Sequence, residues 1–126
     1  MGYNNIGDEG AQELAKALQD PNCKVREINL RNNNIGDEGI TGITTKDGKK
    51  ETIGLADALQ NPNCKVRVIS LWKNNIGDEG AQELAKALQH PNCKVREINL
   101  WGNKIGDKNK ETLRGIAETK GIEIHL

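Results

Sequence analysis

"NNIGDEGAQELAKALQDPNCKVREINL", residues 4–30, occurs again as residues 74–100 with a single change, Asp20 to His90. A diverged copy runs from Asn33 to Leu71, and a partial fourth begins at Asn103. Ile6 to Ile35 and Ile76 to Ile105 are each 29 residues, whereas Ile35 to Ile76 is 41, so the middle unit carries a 12-residue insertion. A fixed period of this length denotes stacked supersecondary units, none of which can bury its apolar face alone.

Two periodicities alternate within each unit. In "VREINL" the residues Ile28 and Leu30 fall on one face of a short strand, and Glu27, Asn29 and Arg31 on the other. In "DEGAQELAKALQ" the residues Ala11, Leu14, Ala15 and Leu18 follow the i, i+3, i+4, i+7 spacing of one helical stripe. Asp8 stands where an N-cap belongs and Pro21 follows the helix end. Strand and helix alternating through short links predict parallel strands. Wedges of unequal width bend the array, with the strands inside the curve.

The pattern Val25-x-x-Ile28-x-Leu30-x-x-Asn33-x-Ile35 recurs as Val66-Ile69-Leu71-Asn74-Ile76 and as Val95-Ile98-Leu100-Asn103-Ile105. It resembles the leucine-rich repeat. The helical "IGDEGAQELAKAL" that follows is similar to the ribonuclease-inhibitor-like class, found also in NOD-like receptors and in the Ran GTPase-activating protein. The resemblance covers nearly the whole chain except the insertion. It implies an α/β solenoid: a short, curved, right-handed horseshoe with parallel strands concave and helices convex. Residues 1–126 then make one domain of about four repeats with a loop inserted near 40–51. The resemblance also implies that Asn4, Asn33, Asn74 and Asn103 form a buried ladder, each amide satisfying backbone groups where the chain leaves a strand.

Composition narrows the function classes. Eighteen basic residues balance eighteen acidic ones, so charge does not point to nucleic acid or an anionic membrane. "MGYNNIGDEG" has neither the basic nor the apolar region of a secretory signal, and Ile6 stands where a myristoylation motif wants Ser or Thr. Three cysteines fit a reducing compartment, so a cytoplasmic location is expected. Cys23, Cys64 and Cys93 share one slot before each strand and read as buried, reduced thiols rather than zinc ligands. "HPNC" at 90–93 lacks a third group to orient a Cys–His dyad, "DKNKE" at 107–111 lacks the glycine of a calcium loop, and "GDEG" is not a phosphate loop. No catalytic constellation, metal site or cofactor is predicted.

Binding through the concave face is the expected function. The strand register places Glu27, Asn29 and Arg31, then Val68, Ser70 and Trp72, then Glu97, Asn99 and Trp101, and finally Glu123 and His125 on that face. Arg31, Trp72 and Trp101 form one row, with a cation–π contact from Arg31 to Trp72. Trp and Arg are the residue types enriched among interface hot spots. Two readings of the tryptophans stand at this point: anchors for a protein partner, or a pair stacked to cover the strand ends.

The insertion supplies a second contact surface, with Lys46, Lys49 and Lys50 around a type I′ hairpin at Asp47-Gly48 near the C-terminal rim of the strands. The alternative functions are a Ran-type GTPase activator, which the resemblance implies, and an architectural array without a ligand. The chain opens on a helix with no strand before it, as a fragment of a longer array would. "GIEIHL" leaves an apolar edge strand, a route to weak self-association.

Overall fold

The computed structural model describes residues 5–126. Four units succeed one another. The first is helix α1 (Gly7–Leu18) and strand β1 (Glu27–Asn29). The second holds α2 (Asp37–Thr41), a hairpin of β2 (Ile43–Thr44) and β3 (Lys50–Thr52), then α3 (Leu55–Leu59) and β4 (Val68–Ser70). The third is α4 (Asp78–Gln89) and β5 (Glu97–Asn99), and the last is α5 (Asp107–Lys120) and β6 (Glu123–His125). Strands β1, β4, β5 and β6 form one parallel sheet in that order, in register from Ile28 through Ile69 and Ile98 to Ile124.

Leu30, Leu71 and Leu100 are buried with Leu18, Leu55, Leu59, Leu84 and Leu113 from the helices, so one continuous aliphatic core runs between sheet and helices. The identical units show that neighbours, not local sequence, bury this face. Val95 is 4% exposed because the preceding repeat covers it, whereas Val25, in the same sequence context, is 43% exposed. Ala87 is likewise buried while Ala17 is exposed.

Two sets of side chains join repeat to repeat. The amide oxygen of Asn74 accepts from the Asn33 and Ile35 backbone N–H groups at 3.0 and 2.9 Å. Its amide nitrogen donates to the Leu30 and Leu71 carbonyls at 2.9 and 3.0 Å. Asn103 repeats the pattern, accepting from Ile76 N–H at 3.0 Å and donating to Leu71 and Leu100, and Asn33 accepts from Ile6 N–H. Each asparagine thus satisfies backbone groups that a bend out of a strand leaves without ladder partners. Asn4, assigned to the same ladder, lies outside the described residues.

The aspartates do not cap their own helices, contrary to the expectation for Asp8. Asp8 Oδ1 accepts from Gly36 N–H at 2.6 Å and Gly39 N–H at 3.0 Å, the first donors of α2. Asp37 does the same for α4 through Gly77 and Gly80 at 2.7 and 2.9 Å, and Asp78 for Gly106 at 2.8 Å. A helix N-terminus needs an acceptor for its unpaired N–H groups. Here glycine occupies each N-cap from α2 to α5, and the carboxylate comes from a preceding unit. In α3 alone the acceptor is local, with Asp57 accepting from Gly54 N–H.

This relay explains the second glycine of "GDEG": a Cβ on Gly80 would lie 2.7 Å from Asp37 Oδ1. In α5 that slot is Asn109, whose side chain hydrogen-bonds Asp78; with the Gly106 N–H as the larger cause, it holds the Asp78 carboxyl below the ordinary range.

The insertion divides the second helix rather than preceding it. The helix runs to Thr41, leaves the layer as a hairpin, and resumes at Leu55, which gives five helical segments for four units. The hairpin is present but its turn is not type I′, which needs positive φ at both central residues. Gly48 has φ 81°, Asp47 is not left-handed, and a three-residue loop is closed by Thr45 N–H to the Lys49 carbonyl at 2.7 Å.

The Val pair gives an internal control of repeat-to-repeat packing. Val95→Ala is expected to cost about 2 kcal/mol. Val25→Ala should stay within about 0.5 kcal/mol. Urea unfolding of the two variants measures the difference, and equal losses would contradict burial by the neighbour.

Candidate functional site

Strand parity decides what faces away from the helices. With Ile28, Ile69, Ile98 and Ile124 turned toward the core, the open face carries the row Glu27, Val68, Glu97, Glu123 and the row Asn29, Ser70, Asn99, His125. A third row continues past the strands as Arg31, Trp72 and Trp101, held in step by Asn32 N–H to the Trp72 carbonyl at 3.0 Å and Lys73 N–H to the Trp101 carbonyl at 2.9 Å. Neighbouring strands stand about 4.8 Å apart. Indoles at equivalent positions therefore meet face to face: the Trp72 and Trp101 rings are stacked with centroids 5.9 Å apart and planes 17° from parallel. Trp72 is half-buried, and Trp101 remains 51% exposed.

The ammonium over Trp72 comes from Lys73, 4.6 Å from that ring's centroid and 6.0 Å from that of Trp101. Lys73 was not among the residues expected at this face. Two local features put it there. The residue after each row member is left-handed, with φ of 54° at Asn32, 53° at Lys73 and 81° at Gly102. This turns the side chain back toward the row. Gly102 then leaves the room, since a Cβ there would stand 2.8 Å from Lys73 Cγ. The expected Arg31, Asn29, Ser70, Asn99 and Trp72 do come together, lining a shallow depression of about 210 Å³ beside the indoles. The Asn29 and Asn99 amide oxygens accept from the Arg31 and Trp101 N–H groups at 3.1 and 3.0 Å, fixing the backbone at both ends of the row.

Glu97 stands apart from this depression. Its carboxylate lies 3.6 Å from His125 Nε2, which is 3.0 Å from Glu123, so the imidazole serves both acids. Among the described residues these three form a cluster of metal-type donors, mutually within 4.8 Å and exposed or half-exposed. Glu27 is exposed at the far edge of the sheet.

The insertion lysines belong to the hairpin between α2 and α3. The hairpin leaves the helix layer, and the groove along β2 is completed by Glu79, Gln82 and Glu83 of α4. Lys50 is used at its base, bonded to the Thr41 carbonyl at 2.6 Å and paired with Asp57 at 3.2 Å, while Lys46 and Lys49 lie exposed near its tip. The entry point inside the helix, not the sequence of the loop, sets this position. Cys23, Cys64 and Cys93 are free, and burial raises the Cys64 and Cys93 thiols above the ordinary value.

Residues 1–15, 22–43, 63–85 and 92–108 match the family described as Leucine Rich repeat. This chain belongs to the leucine-rich repeat family. The interval between the second and third matches contains most of the hairpin and α3, the part of the second repeat that the insertion reshapes. No curated protein matches the chain. No helix among the described residues is long and apolar enough to cross a membrane.

The aromatic stack has a direct optical test. Trp101→Ala should cost about 2–4 kcal/mol of stability, the pair value of ~0.5–1.5 kcal/mol added to the buried half of the ring. It should also raise acrylamide quenching of the remaining Trp72. Unchanged Trp72 quenching in the folded variant would mean that the rings do not cover one another.

Proposed function

We propose that this leucine-rich repeat chain is a protein-binding module whose contact surface is the open sheet face around Trp72 and Trp101. The observation that carries this reading is the stacked indole pair with Trp101 half-exposed, next to the depression lined by Arg31, Ser70 and the two asparagines. An exposed tryptophan keeps a large apolar area available, and covering one ring removes about 150–250 Å² from water. Stacking and the Lys73 ammonium hold both rings in one orientation, so little side-chain entropy remains to be lost on association. The polar rim of Arg31, Asn29 and Asn99 supplies donors around this apolar centre, the arrangement of an interface core inside a hydrated border. Leucine-rich repeats commonly serve protein interaction, which agrees with this assignment. Three unpaired cysteines favour an intracellular adaptor as the setting.

The test is retention of a partner by wild type, by Trp72→Ala/Trp101→Ala, and by the helix-face control Lys86→Ala. Two hot-spot indoles predict at least a ~30-fold weaker affinity for the double variant, with the control unchanged. Equal retention by all three proteins would remove the open face as the contact surface.

A further inference from the structure

At the opposite end of the strands from the indoles, residues of the second, third and fourth units line a hollow of about 280 Å³. Its polar lining is Arg67, His90, Lys94, Arg96 and Lys120, over an apolar floor that includes Val95 and Ile122, and no carboxylate lines it. In the first three units a loop of several residues joins helix to strand. In the last, α5 ends at Lys120 and only Gly121 and Ile122 precede β6. The hollow occupies the place that such a loop fills elsewhere.

The cations around it are not consumed by acidic partners. Arg67 and Arg96 immediately precede the neighbouring strands β4 and β5, stepped by Arg96 N–H to the Arg67 carbonyl at 2.7 Å. Both are exposed, and neither forms an ion pair among the described residues. Like charges at opposed positions on a sheet repel. An anion between them relieves that repulsion. Lys94 is partly engaged, donating to the Pro62 carbonyl at 2.9 Å.

The one difference between the two 27-residue copies falls in this lining. Asp20 in the first unit becomes His90 in the third. The turn does not require the change, because Asp20 Oδ1 accepts from Asn22 N–H at 2.8 Å and His90 Nδ1 accepts from Asn92 N–H at 3.1 Å. What changes is charge and hydrogen bonding. A carboxylate is lost, and an imidazole that accepts at Nδ1 carries its proton on Nε2, so the hollow gains a donor. The Cys93 thiol, kept neutral by burial, adds no negative charge.

We infer that this hollow binds a phosphate-type dianion, held by Arg67 and Arg96 with Lys94, Lys120 and His90. Guanidinium groups match phosphate oxygens two at a time, and ammonium groups add point charge. The volume lies just below the range of drug-sized sites, roughly 300–1,000 Å³, so the ligand is a single anionic head group, free or carried on a small molecule.

The experiment is an amide-shift NMR titration of the full chain at constant ionic strength, with inorganic phosphate in one arm and O-phosphoserine in the other, and chloride as reference. Saturable shifts are expected at His90, Lys94, Arg96 and Lys120, with the matching first-unit positions Asp20 and Lys24 silent. Saturation in both arms assigns the phosphate group alone, and in the phosphoserine arm alone a phosphomonoester. His90→Asp, which restores the first unit's residue, and Arg96→Gln should each weaken binding about tenfold or more. Shifts spread evenly over all basic residues, shifts equal to those with chloride, or undiminished binding by both variants would overturn the inference. Trp72→Ala/Trp101→Ala should bind phosphate normally, so this result and the partner-binding result fail independently.

Discussion

The array depends on side-chain oxygens that reach from one repeat into the next to accept backbone N–H groups. Strands of three residues offer few ladder bonds, and the bends and helix starts between them present donors with no partner inside their own unit. Asn33, Asn74 and Asn103 serve the bends, while Asp8, Asp37 and Asp78 serve the helix starts. Every one of these contacts crosses a repeat boundary. A unit taken alone has buried-type donors without acceptors, so local structure and stacking form together.

Because the joints are the same at each boundary, function has room only where the units differ. Arg31, Trp72 and Trp101 share a slot but not a residue type, and the following positions, Asn32, Lys73 and Gly102, decide whether a cation folds back over the row. Asp20, Asn61 and His90 share another slot, where each keeps the same turn bond while the charge changes. The two surfaces lie at opposite ends of the same strands. One is aromatic and suited to covering apolar area; the other is cationic and suited to an anion.

Much of this was legible in the sequence, for reasons that are local. Period two in "VREINL" and the helical spacing in "DEGAQELAKALQ" fix which residues turn inward, so the open-face rows follow from parity. What the sequence reading missed is non-local. Asp8 looks like a cap for its own helix, because an aspartate at a helix start ordinarily is one; only the spacing between repeats reveals that its carboxylate lies nearer the next helix. The split of the second helix was missed although Gly42 and Gly54 stand at its stop and restart, because both glycines also fit a loop inserted ahead of the helix. Lys73 escaped because its position depends on a left-handed backbone and on a glycine in the next repeat. The cationic hollow arises from the short link at Gly121, and its signal was the lone Asp20-to-His90 difference.

The most direct test of the repeat-joining account is native-state hydrogen exchange at single-residue resolution on the wild-type chain. The amides of Ile35, Gly39, Ile76 and Gly80 each donate to a side-chain oxygen of a neighbouring unit. If those side chains hold the array, these four exchange as slowly as the strand amides of Ile69 and Ile98, within about tenfold, because opening them requires separating repeats. Exchange as fast as that of Lys46 at the hairpin tip would contradict it, since the repeats would then be joined by core packing alone.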